Sequence, residues 1–145
     1  MKTLHSKAVY SRAESSQVGG YRLGESGILA KGLNYMKQQL TGKASKDGYV
    51  NAIEGIKRKT LVYGNNTLMT EFKLEKGRSL PMHKHPQEQT GYLISGHIIL
   101  HINEQKFEMF TGDSWCIPGD AEHGADVMED SIAIEVFCPI RVDYL

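Results

Sequence analysis

A chain of 145 residues has room for one domain with a sizeable core and not for two. Its 17 Lys and Arg balance its 17 Asp and Glu, which leaves no electrostatic footprint for nucleic acid or an anionic membrane surface. No apolar run exceeds three residues, against the roughly 20 that a membrane-spanning helix needs.

The segment Met1–Ser6 lacks the apolar stretch of a signal peptide, so a cytoplasmic location is expected. Residues 1–55 are rich in Ser, Gly and Lys, with Ser15-Ser16, Gly19-Gly20 and the run 43–48 as loop signals. Within them Leu29, Leu33, Met36 and Leu40 recur at helical spacing and predict one short helix in an otherwise loosely ordered extension.

From residue 56 to 145 strand follows strand. Leu68, Thr70, Phe72 and Leu74 alternate with Met69, Glu71 and Lys73, the period of a half-buried strand. Ile98, Leu100 and Ile102 alternate in the same way, and Asn103-Glu104 reads as the turn of a hairpin. Gly64-Asn65-Asn66, Gly112-Asp113 and Pro118-Gly119-Asp120 supply further turns. Many short strands with frequent turns predict an all-β sandwich or barrel. Cys116 and Cys138 do not make a disulfide framework, and both are expected as packed, reduced thiols.

Two turn-bounded frames carry chemistry. The first runs from Gly77 through His83-Lys84-His85-Pro86-Gln87-Glu88-Gln89 to Gly96, the second from Gly112 through Pro118 to His123. Residues at i and i+2 of a strand share a face, so His83 and His85 can grip one ion together. Imidazole nitrogen suits Zn, Ni, Mn or Fe, and an amide oxygen can complete the set. Gln89 and Glu88 each offer an oxygen, and by parity only one of the two can share the ligand face. In the last strand Ser131, Ala133, Glu135 and Phe137 share one face and Ile132, Ile134 and Val136 the other. The apolar set is expected in a packed layer, with Glu135 and Phe137 bordering a cavity. Tyr92 is expected near the first frame, as a core aromatic or a hydroxyl donor.

The two frames resemble the two motifs of the cupin superfamily, which implies a small jelly-roll β-barrel over 56–145 with one divalent transition metal in its cavity. The resemblance implies His83, His85, Gln89 and His123 as ligands. The chain departs from the pattern at Gln89, where Glu is common, and at Asp120 and Val127, where Gly and Asn are common.

The ending Ile134 to Leu145 resembles that of the pectin-degradation cupins, which open the ring of 4,5-unsaturated uronates. That likeness implies Glu135 and Arg141 as catalytic residues, Phe137 and Arg141 as substrate contacts, a small carboxylated sugar as substrate, and a homodimer. Two other functions stay open at this point: a metal-dependent dioxygenase of the same fold, and a non-catalytic sugar-binding or sensing module.

Overall fold

The computed structural model describes residues 38–145. Of the helical stripe, Leu29, Leu33 and Met36 lie outside the described residues, and Leu40 is exposed. Ten strands follow: β1 Val50–Ile53, β2 Ile56–Tyr63, β3 Leu68–Leu74, β4 Ser79–His83, β5 Glu88–Ser95, β6 His97–Ile102, β7 Gln105–Phe110, β8 Ser114–Ile117, β9 His123–Val127 and β10 Ser131–Cys138. All pairings among them are antiparallel. They form one sheet in the order β1-β2-β3-β10-β5-β8 and another in the order β4-β9-β6-β7. A single 3-10 turn, Val142–Tyr144, ends the chain. Pairing begins ahead of residue 56, since β1 joins β2 and Gln39 bridges to Tyr63.

Alternation builds the core. Along β5 the exposed residues Glu88, Thr90, Tyr92 and Ile94 alternate with buried Gln89, Gly91 and Leu93. Leu74, Leu93, Ile98, Leu100, Ala125 and Val127 from both sheets meet in one apolar cluster. Their burial, at about 25 cal/mol per Å² of apolar surface, is the main stabilising contribution. The inward residues Gln89, Glu135 and Phe137 belong to the same strands but sit toward the end where β5 and β10 meet the His83–Gln89 loop. Each sheet therefore changes from apolar to polar along its inner face.

Three expectations need correction. In β10 the Glu135 and Phe137 face borders the cavity as expected, but the apolar set Ile132, Ile134 and Val136 is only half-buried on the outside and not in a packed layer. Pairing to β3 and β5 on both flanks fixes this choice, because Ala133 faces Phe72 and Leu93, both inward residues. Cys116 and Cys138 are exposed, not packed. Cys116 stands opposite outward Thr90, so the pleat turns it to the outer face of the edge strand β8. Tyr92 is half exposed on that same outer face, and lies in neither core nor site.

Candidate metal centre and active site

His83 ends β4 and pairs directly with His123 at the start of β9. Their rings lie 4.3 Å apart, centroid to centroid. His85 is not on the strand; it sits in the following loop, so strand parity is not what aligns it with His83. The loop is pinned instead by Asp120, whose N–H donates to the His85 carbonyl at 2.8 Å. Asp120 adopts φ 62°, a left-handed conformation that glycine takes freely and that Asp tolerates better than most residues. The substitution of Asp for the common Gly thus keeps the turn.

The three imidazoles share one hydrogen-bonding plan. Nδ1 of His83 lies 2.9 Å from the Pro81 carbonyl, Nδ1 of His123 lies 2.8 Å from the Ala121 carbonyl, and Nδ1 of His85 lies 3.1 Å from the Gln87 carbonyl. A carbonyl only accepts, so each Nδ1 carries a proton, and in a neutral ring Nε2 is the nitrogen left with a lone pair. One ligand atom from each ring lies within 4.8 Å of the others. Nε2 of His123 is buried with no partner among the described residues. Burial holds His123 down to about 4 and also lowers His85, with the Arg141 charge as its second cause. Both rings stay neutral at pH 7, the form that binds a metal.

Gln89 connects this cluster to a carboxyl group. Its Nε2 donates to Glu135 Oε1 at 2.9 Å, which turns its Oε1 toward His85 Nε2, also at 2.9 Å. With Nδ1 protonated and the ring neutral, two lone pairs face one another there. A cation between them resolves the repulsion, since two donors about 2.1 Å from one ion and at a right angle lie about 3.0 Å apart. The donor set therefore fits a divalent ion. Glu88 is exposed and faces away.

Glu135 faces the cavity from β10. Its Oε1 also accepts from Trp115 Nε1 at 3.2 Å. The protein packed around it pushes this carboxyl up to about 7, against the opposing pull of Trp115, the Arg141 charge and Gln89. Phe137 is fully buried, edge-on to His85 at 5.8 Å and to Tyr144 at 5.5 Å. Arg141 pairs with Asp143 and not with Glu135, and lies over the Tyr144 ring. His97 and His101 are on the outer face of the smaller sheet, where Glu108 and Asp126 pair with them.

Three residues of this arrangement were not anticipated from the sequence. Trp115 and Tyr144 line the cavity, and Gly91 lies beneath the Trp115 indole. A glycine inside an alternating strand is a signal of close approach, and Gly91 carried it.

Residues 70–138 match the cupin domain family. The chain is 31% identical over 94 residues to the pectin degradation protein KdgF of Dickeya dadantii (strain 3937), covering 63% of this chain and 86% of that protein. The chain belongs to the cupin family. Among solved structures, an RmlC-like cupin from Shewanella frigidimarina NCIMB 400 superposes with TM-score 0.72 at 23% identity, over 76% of this cupin and 100% of that chain. KdgF from Halomonas sp. superposes with TM-score 0.69 at 26% identity, over 72% of this cupin and 99% of that chain. Among the described residues of this cupin, no helix is long and apolar enough to cross a membrane.

Proposed function

We propose that this cupin opens the ring of a small 4,5-unsaturated uronate, with one divalent metal ion held by His83, His85, Gln89 and His123. The observation that carries the reading is the single amide of Gln89, which reaches His85 on one side and half-buried Glu135 on the other. The likeness to a pectin degradation protein supports the substrate class. Three neutral imidazoles and a neutral amide leave the charge of a bound Zn, Ni, Mn or Fe uncompensated, so the ion would supply Lewis acidity toward a sugar oxygen.

The protein's own groups move the proton. Burial raises the Glu135 carboxyl to about 7 in the metal-free chain, and a carboxyl raised in this way suits general acid–base work. As carboxylate it takes the proton of the C1 hydroxyl while the bond from C1 to the ring oxygen breaks and the C1 carbonyl forms. The electron pair of that bond goes to the ring oxygen, which becomes the enolate oxygen on C5. Glu135 then returns the proton to C4, and the C5 oxygen becomes a keto group. No atom is gained or lost. Arg141 pairs with the substrate carboxylate, and Phe137 forms the apolar wall beside the sugar.

Incubation with lyase-generated unsaturated uronate tests the reading. Loss of the 4,5-double-bond absorbance without oxygen uptake is expected. Oxygen uptake with a catechol or diketone would move the function to a dioxygenase, and saturable binding without turnover to a sensing module. A homodimer belongs to the same proposal, and a monomer mass in light scattering at micromolar concentration would remove it.

A further inference from the structure

The C-terminal turn holds Asp143, a residue that the proposed chemistry leaves unused. Arg141 donates from Nε to Asp143 Oδ1 at 3.0 Å and from Nη2 to Asp143 Oδ2 at 2.8 Å. Asp143 thus occupies the side edge of the guanidinium. The remaining nitrogen, Nη1, is buried and has no partner among the described residues. The Arg141 side chain is only 14% exposed. Its guanidinium carbon lies 4.3 Å from the centre of the Tyr144 ring and 5.6 Å from that of Phe137. Both rings line the cavity that holds the histidine cluster.

We propose that Asp143 is a positioning residue for Arg141: it fixes the guanidinium plane so that the end edge, with its unpartnered Nη1, is presented ready-made to the carboxylate of a small sugar acid. The inference rests on the substrate class proposed above. A free arginine must lose rotamer freedom on binding an anion, whereas one already held by two hydrogen bonds and a ring face loses little. The side and end edges of a guanidinium are distinct, so a second carboxylate can pair with Nη1 and Nη2 while Asp143 stays in place. The turn does not depend on the Asp143 carboxylate for its own docking. Thr60 Oγ1 donates to the Tyr144 carbonyl at 2.9 Å, Arg58 Nη2 donates to the Asp143 carbonyl at 3.3 Å, and Arg58 lies 3.8 Å over the Tyr144 ring. All three contacts survive truncation of the Asp143 side chain.

The test uses the full metal-loaded chain and a non-reacting probe, D-galacturonate, with neutral D-galactose as control. Binding is read from the fluorescence of Trp115, the chain's single tryptophan, which lines the same cavity. Asp143→Ala should raise the dissociation constant for galacturonate about tenfold, the worth of roughly one charge-assisted contact, and leave galactose unchanged. Asp143→Asn, which keeps one acceptor and guards against loss of the fold, should show a smaller rise in the same direction. With unsaturated uronate, Asp143→Ala should raise KM and leave kcat within about twofold.

Tighter galacturonate binding by Asp143→Ala would make Asp143 a competitor for Arg141 and overturn the inference. So would unchanged binding, or the absence of saturable galacturonate binding by the unaltered protein. A shifted dissociation constant with no turnover of unsaturated uronate would instead uphold the inference and sink the ring-opening reading alone.

Discussion

Trp115 and Glu135 meet across a glycine. The indole N–H reaches the carboxylate at 3.2 Å from one strand to the next but one, with Gly91 of β5 between them in register. A Cβ on Gly91 would lie 2.0 Å from the Trp115 ring, so no residue with a side chain leaves this bridge in place. The missing side chain is what lets the indole lie flat over β5 and touch β10.

Gly91→Ala should therefore displace the Trp115 indole and cost roughly 1–3 kcal/mol, the usual range for overpacking a filled interior. A red shift of Trp115 emission and a lower denaturant midpoint are the readouts. Unchanged emission together with an unchanged midpoint would show that the indole is not wedged against Gly91.

Protein purified without added metal or a chelating tag should contain about one divalent ion per chain. His123→Ala removes the buried, unpartnered Nε2 and should abolish most of that content. His101→Ala, on the outer face beside Asp126, should not alter it. Equal loss from both variants would place the ion elsewhere.

Glu135→Gln keeps size and hydrogen bonding but cannot cycle a proton, so turnover should fall roughly 10²- to 10⁴-fold with metal content unchanged. Loss of metal or of the fold from this substitution would make Glu135 structural.

The same substitution should change how stability depends on pH in the metal-free protein. The Glu135 carboxyl is raised from 4.5 to about 7, so folding favours its protonated form. That contribution is fully present below about 4.5 and is lost as pH rises through about 7, up to roughly 3 kcal/mol in all. His123, lowered to about 4, acts with the opposite sign between about 4 and 6.5. The difference between wild type and Glu135→Gln isolates the carboxyl: urea midpoints should favour the variant more at pH 8 than at pH 5. A pH-independent difference would mean that Glu135 is ordinary in the folded chain.

Most of the ligand cluster was legible in the order of residues. Within β5 period-two alternation sets Gln89 and Glu88 on opposite faces, the resemblance to the cupin motif picks out Gln89, and turn residues at Pro118 and Asp120 frame His123. Such features are local: the pleat and the turn are dictated by neighbours within a few positions. Parity also groups Glu135 with Phe137 and Ile134 with Val136, but parity is symmetric between the two faces of a strand. Only pairing with β3 and β5 decided that the polar face of β10 turns inward. The Trp115–Gly91–Glu135 row joins three strands that are distant in sequence, and Cys116 is turned outward by the same register. The partner of Arg141 depended on the chain end folding back into a 3-10 turn. These contacts depend on register and docking, which are set by the whole assembled core and which no short stretch of residues encodes by itself.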